Sequence, residues 1–272
     1  ITGGSSGIGF ALATLMTSQG AHVYIMGRRL EPLRNAVKKL EGWKTNNSQK
    51  LGMIQADISQ LDALRATLAD WQQQFGTPDI LINSAGVSRP GLFLDLPDDA
   101  FKEMIEINYL GTVNCCRFIL DGMLKRGSGH IVNISSVAGF LGTYGYTAYG
   151  ASKFAVRGFS DALRSELIGT GVNLTLVFPP DTKTPQLEAE EAFKPPVTKI
   201  LAQSAGLQEP EFVARAIIRA IHKKDYICTP GFESTLLFWL SNALGKGAYL
   251  LMDIIVKDAI RKVYGGKKGG IR

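Results

Sequence analysis

Cysteine and histidine are scarce here, three of each in 272 residues. Cys115 and Cys116 are neighbours in a helical stretch, pointing about 100° apart, and Cys228 stands alone. Neither a disulfide framework nor a thiolate metal pair is implied, and a reducing compartment is expected. His22, His130 and His222 are far apart with no ligand spacing, so they read as structural and no metal site is expected. No internal repeat or low-complexity linker divides the chain. The net charge of +6 is mild. Its basic residues gather partly at the C-terminal end (Lys257, Arg261, Lys262, Lys267, Lys268, Arg272), which suits an anionic surface better than a nucleic-acid groove. Long apolar runs are missing too. Between Thr235 and Tyr264 the longest runs are five residues, and Lys246 and Asp253 interrupt the stretch; it is too broken for a membrane span of about 20 residues.

What is present describes an ordinary folded protein, 45% hydrophobic and 20% charged, with 30 glycines for tight turns. The length suits one large α/β domain or two small ones. Short β-branched runs alternate with helical patterns, the sign of a parallel sheet covered on both faces. Strands are expected at His22 to Met26, Leu51 to Ala56, Ile80 to Asn83, His130 to Ile134, Asn173 to Phe178 and Tyr226 to Thr229. Helices are expected at Gly7 to Gln19, Leu30 to Leu40, Leu61 to Phe75, Asp98 to Lys125, Tyr149 to Ile168 and Pro210 to His222. Counting a truncated strand before Gly3, the fold class is a doubly wound Rossmann-type sheet of about seven strands. Two regions fall outside the rhythm. Residues 179–209 are rich in Pro, Glu and Lys and read as an irregular cover over a substrate. Residues 235–272 read as an apolar helical appendix with a basic tail, set apart from a main domain over 1–234.

The segment Thr2-Gly3-Gly4-Ser5-Ser6-Gly7-Ile8-Gly9 joins a strand to a helix. Glycines 3, 7 and 9 let the backbone turn tightly and approach a pyrophosphate, and the helix N-terminus adds N–H donors and positive dipole. Alone, such a cluster is a plain turn; its place between strand and helix gives it weight. The sequence opens where a dinucleotide fold is already leaving its first strand, so that strand, and any anchor before it, is expected to lie outside the sequence. The second strand ends in Gly27-Arg28-Arg29. An acidic residue there would bind ribose hydroxyls, whereas arginine accommodates the extra phosphate of NADP. Arg28 is assigned to that phosphate and Arg29 to the adenine; the alternative is two solvated helix-cap arginines. Asp57 is placed to bond the adenine amino group, and Asn83-Ser84-Ala85-Gly86 lets the backbone lie near the adenosine ribose.

Ser135-Ser136 closes one strand, and Tyr149 and Lys153 share a face of the next helix four residues apart. A phenol of ordinary pKa about 10 moves protons poorly near neutrality, and a nearby ammonium is expected to lower it. A serine hydroxyl at the strand edge holds the substrate oxygen. Asn108, polar inside a helix, is placed to fix a water in a proton relay. The plain alternative for Tyr149 and Lys153 is a surface helical pair.

These motifs together resemble the short-chain dehydrogenase/reductase superfamily, in its order, from position 1 to about 230. The resemblance implies hydride transfer from NADPH to a carbonyl carbon while Tyr149 protonates the oxygen. It implies that Lys153 bonds the nicotinamide ribose, that Ser136 polarises the carbonyl (Ser135 being the alternative), and that Asn108 completes the relay. The expected cofactor contacts are Gly3, Ser5, Ser6, Gly7, Ile8, Gly9, Arg28, Arg29, Asp57, Ile58, Asn83, Ala85, Gly86, Tyr149, Lys153, Pro179 and Thr182.

After the sixth strand, Phe178-Pro179-Pro180-Asp181-Thr182-Lys183-Thr184-Pro185 departs from the superfamily's usual Pro-Gly. With Asn108-Tyr109-Leu110-Gly111 and the run Thr147 to Gly158, it resembles the 3-ketodihydrosphingosine (3-dehydrosphinganine) reductases. The substrate so implied is a long-chain 2-amino-3-ketone. Leu237, Leu240, Leu244, Leu251, Ile254 and Ile255 recur at helical spacing, consistent with an amphipathic helix pair lying in a membrane interface, its basic tail on anionic head groups. The alternative for that stripe is a dimerisation or core-covering helix. The expected setting is a membrane with the active site facing the cytosol, the endoplasmic reticulum in a eukaryote, and a homodimer or homotetramer. Two rivals stay open: another lipid or steroid carbonyl reductase, and a non-catalytic NADPH sensor or scaffold.

Overall fold

Runs of Val, Ile and Leu form parallel strands because both sheet faces are to be buried. In the computed structural model, which describes residues 1–204 and 206–265, these are β1 (Val23–Gly27), β2 (Leu51–Gln55), β3 (Ile80–Asn83), β4 (Gly129–Ile134), β5 (Val172–Val177) and β6 (Ile227–Cys228). All pairs are parallel, β1 with β2, and β3-β4-β5-β6 in sequence order. Lys267, Lys268 and Arg272 of the basic tail lie outside the described residues.

Seven strands are expected and six are found among the described residues. The gap between β1 and β3 is filled by Thr2 alone, which forms parallel bridges to Met26 and to Asn83. Its N–H donates to the Ile82 carbonyl at 2.9 Å, and the Gly3 N–H donates to the Met26 carbonyl at 2.8 Å. Only Ile1 and Thr2 precede the glycine turn in this sequence, too few for a strand but enough to join the two halves. The order is thus β2-β1-Thr2-β3-β4-β5-β6. The chain reverses its winding at Thr2, where open α/β sheets leave a crevice at the strand C-termini.

Side chains alternate between two cores. Ile82, Val132 and Val177 pack with α1 (Gly7–Ser18) and α9 (Pro210–Lys223) through Leu12, Val213 and Ile217. Leu81, Ile131 and Leu176 face the other way, onto α3 (Leu61–Phe75), α5 (Gly111–Arg126) and α6 (Thr147–Glu166) through Leu64, Ile119 and Val156. Near the β1 end, α2 (Leu30–Glu41) closes a smaller core around Leu33 and Leu40.

Two expectations are corrected. The helix expected over Asp98 to Lys125 is α4 (Asp98–Met104), a π-helical turn at Ile105–Leu110, and then α5. Residues 179–209 are not simply irregular, for they contain α7 (Pro185–Glu190) and α8 (Pro196–Ser204). Pro185 and Pro196 read as breakers, but each opens its helix, where a missing N–H costs nothing, and the Thr184 hydroxyl caps α7 by accepting from Leu187 N–H at 3.2 Å. The C-terminal segment is a helical hairpin, α10 (Phe232–Leu244) and α11 (Gly247–Tyr264), turning at Gly245.

Candidate active site

The Gly3 to Gly9 turn is held from several directions. The Thr2 hydroxyl accepts from the Ser84 and Ala85 N–H groups at 3.1 and 3.0 Å, fastening the β3 end beside the loop. Gly3 has φ +64°, and a Cβ there would sit 2.8 Å from the Ala85 backbone. A Cβ on Gly9 would fall 2.4 Å from the Gly3 carbonyl. Helix α1 starts with no side-chain cap on Ser6, so its first N–H donors keep no protein cap. Gly3, Ser6, Gly7, Ile8, Ala85 and Gly86 line a cavity of about 610 Å³. Close backbone approach and free donors at a helix N-terminus are what a diphosphate requires, so these residues fit a dinucleotide.

Deeper in the same cavity lie Ser136, Tyr149 and Lys153. Ser136 follows β4 and caps a short 3₁₀ turn, its hydroxyl accepting from Ala138 N–H at 3.2 Å and sharing a hydrogen bond with the Tyr149 phenol. The Ser135 hydroxyl is instead committed to the Lys153 carbonyl at 2.9 Å. Lys153 is 6% exposed; its ammonium donates to the Ile134 carbonyl at 3.0 Å and stands 5.7 Å from the centre of the Tyr149 ring. Burial lowers its pKa to about 8. The expected depression of the Tyr149 pKa is absent. Burial pushes that phenol above its ordinary value, Glu190 and Asp181 add negative charge in the same sense, and the Ser136 hydrogen bond opposes them. The phenol is therefore kept protonated at neutral pH, as a proton donor must be.

Asn108 lies in the π-helical turn. Its Oδ1 accepts from Val87 N–H at 2.8 Å, and its Nδ2 donates to the Val87 carbonyl and the Ser152 hydroxyl, both at 2.9 Å. Its own carbonyl accepts from the Thr112 hydroxyl at 2.8 Å. The side chain thus fastens the segment that follows Gly86 to α6, and a π-turn in such a place commonly marks a functional site.

Several expected cofactor residues lie outside the cavity lining. Arg28 is 54% exposed at the β1 end, with a guanidinium nitrogen 3.9 Å from the Asp57 carboxylate. Asp57 also accepts from the Ser59 N–H and hydroxyl at 3.0 and 2.7 Å. Arg29 is exposed and precedes α2, and Ser5 is half-buried in the loop. The Ile58 side chain is buried in the core near Gly111, while its carbonyl accepts from Asn114 Nδ2 at 3.0 Å. The Asn83 amide points into the core and donates to Asn133 Oδ1 at 2.9 Å. Pro179 and Thr182 do line the cavity.

The far wall includes part of the segment expected to cover a substrate, together with side chains that were not foreseen as site residues. Asp181, Thr184 and Glu190 belong to it, as do Leu236, Leu237, Met252 and Ile255 of the helical hairpin. Phe238 anchors α10 by packing on Phe140 and Phe178, ring centres 5.2 and 5.3 Å away. The hairpin therefore closes the catalytic cavity, while Trp239, Tyr249 and Leu250 stay 67%, 74% and 68% exposed on its outside. No helix among the described residues is long and apolar enough to cross a membrane.

The profile of the short chain dehydrogenase family matches residues 1–194. This chain belongs to that family and is an oxidoreductase. It is 37% identical over 238 residues to a 3-dehydrosphinganine reductase of Danio rerio, covering 87% of this chain and 72% of the relative. A 3-dehydrosphinganine reductase of Arabidopsis thaliana is 35% identical over 255 residues, 92% of this chain and 75% of that one. Among solved structures, a short chain dehydrogenase/reductase from Burkholderia phymatum in complex with NAD superposes with a TM-score of 0.79 at 24% identity, covering 90% and 92% of the two chains.

Proposed function

We propose that the protein reduces the C3 ketone of 3-ketodihydrosphingosine to the alcohol at the expense of NADPH, as an enzyme of sphingolipid synthesis. One observation carries this: a protonated phenol, an orienting serine and a buried lysine stand in one cavity whose wall includes Leu187, Leu201, Leu237 and Ile255 of α7, α8, α10 and α11. A lipid ketone suits that wall, and the similarity to 3-dehydrosphinganine reductases points to the same substrate.

A nicotinamide dinucleotide supplies the hydride. Gly3, Ser6, Gly7 and Ile8 would hold its diphosphate end, Ala85 and Gly86 its adenosine ribose, and Lys153, Pro179 and Thr182 its nicotinamide half. Arg28, half-exposed beside Asp57 just past β1 where an acidic residue would select NAD, favours the 2′-phosphate of NADPH. Ser136 donates to the ketone oxygen and aims it at Tyr149, which delivers the proton. Lys153 stabilises the phenolate left behind. Asn108 ties the Gly86–Val87 segment to α6 so that Lys153 and Tyr149 meet the same substrate. A non-catalytic sensor would need no proton donor.

We place the enzyme at a membrane surface with the cavity open to the cytosol, at the endoplasmic reticulum in a eukaryote, as a homodimer or homotetramer. The exposed aromatic and aliphatic residues of α10 and α11 support the surface contact. The function is tested by following NADPH oxidation with a long-chain 2-amino-3-ketone and with steroid ketones. The aminoketone is expected to be turned over efficiently and the steroids poorly. Arg28→Asp is expected to raise the KM for NADPH by at least ~10-fold, the order of one lost charge-assisted contact. Equal use of steroids would assign the chain to another branch of carbonyl reductases.

A further inference from the structure

Three carboxylates line the cavity and play no part in the proton transfer above; Glu233 accepts from the Gly206 N–H at 2.9 Å at the hairpin end, which leaves Asp181 and Glu190. Glu190 ends α7, is 6% exposed, and is fixed through both oxygens: Oε2 accepts from the Tyr146 hydroxyl at 2.9 Å and Oε1 from the Gln186 amide at 3.1 Å. The Tyr146 ring is 5.7 Å from that of Tyr149, so Glu190 stands one side chain away from the proton donor. Asp181 follows β5, lines the same cavity, and makes no side-chain hydrogen bond or ion pair among the described residues. The buried cation that acts on both, Lys194, is itself paired with Glu191 at 3.4 Å; Lys199 shares Glu191 at 3.3 Å. The wall beyond is apolar, through Leu187, Leu237, Met252 and Ile255.

Anions held against an apolar wall without a full counter-charge are unfavourable unless a ligand supplies one. Burial accordingly holds both acids above their usual range. Both also act on the Tyr149 phenol, opposing the phenolate it must become. We infer that Asp181 and Glu190 recognise the ammonium of the substrate, the C2 amine one carbon from the ketone that Tyr149 protonates. This rests on the aminoketone reading above. It adds that the amine's positive charge offsets the two carboxylates just where a phenolate forms, so the amine contributes to turnover as well as to binding.

The test uses the full chain and two ketones of equal length, a 2-amino-3-ketone and the 3-ketone without the amine, each assayed with NADPH. For the wild type, kcat/KM is expected to favour the aminoketone by roughly 100-fold or more, with part of the difference in kcat. Asp181→Asn and Glu190→Gln are each expected to lose at least ~10-fold of that preference and, with a charge that opposes the phenolate removed, to reduce the amine-free ketone at least as fast as the wild type. Wild-type rates within a few-fold for the two ketones would overturn the inference and leave the ketoreductase reading intact, with no need for a variant that folds. So would variants that lose both substrates equally while binding NADPH normally. If neither ketone is reduced, the ketoreductase reading fails instead. Calorimetry with a long-chain 2-amino alcohol against the plain alcohol then decides the amine site on its own: tighter binding of the amine supports it, and equal binding refutes it.

Discussion

Tyr149 and Lys153 carry opposite burdens of the same burial. Leaving water favours the neutral form of each, so the phenol stays protonated while the ammonium, with a pKa near 8, is ready to lose its proton. If the ammonium is what stabilises the phenolate, reduction slows as it titrates. We expect the rate of ketone reduction to fall as pH rises through about 8, measured at saturating NADPH. The folding contribution runs the other way. The unfolded lysine titrates near 10.4, so between about 8 and that value the unfolded chain binds more protons and this group's contribution to stability rises with pH. A rate that climbs across the same window would remove Lys153 from the assigned role. The residue roles here differ in how far they can be read directly. A tyrosine and a lysine four apart on a helix must share a face, so their pairing is visible in the sequence. Asp181 and Glu190 sit in a segment rich in Pro, Glu and Lys, which reads as a cover over a substrate with nothing to mark which residues face inward; only the fold brings these two to the cavity.

At the scale of elements, the glycine turn and the strand ends around it work as one unit. Gly9 exists because the Gly3 carbonyl occupies the place of its Cβ. Gly9→Ala is expected to destabilise the protein by about 1–3 kcal/mol, a drop of several degrees in Tm, and to weaken NADPH binding at least ~10-fold, because the whole loop must move; calorimetry and a binding titration report both. An unchanged affinity would mean the loop does not hold the diphosphate. Most strands and helices fall within a residue or two of their expected bounds, since hydrophobic period and Gly or Pro punctuation mark them. The π-turn at Ile105–Leu110 does not announce itself. It depends on Asn108 meeting Val87 and Ser152, partners 21 and 44 residues away, and local pattern carries no trace of such pairs. The seventh strand shrinks to Thr2 for a simpler reason, the position of the glycine turn in this sequence.

For the whole molecule, the apolar stripe of the last two helices divides its faces. Leu237 and Ile255 turn inward to close the cavity, and Ile254 turns outward, 65% exposed. The inward residues serve as the covering helix that was one alternative from the sequence, and the outward ones are those that the proposed membrane contact would use. Trp239→Ser with Tyr249→Ser is expected to reduce co-flotation with vesicles containing anionic lipid several-fold, while activity on a short soluble ketone is kept. Undiminished flotation would assign membrane contact elsewhere on the protein.

The account as a whole depends on the Tyr149 phenol giving up its proton to the ketone. The most direct measurement is turnover of Tyr149→Phe beside its NADPH affinity. Turnover should fall by ~10²–10⁴-fold, the range for a lost general acid, with NADPH bound as tightly as in the parent. A phenylalanine variant that reduces the aminoketone at the parent rate would contradict it.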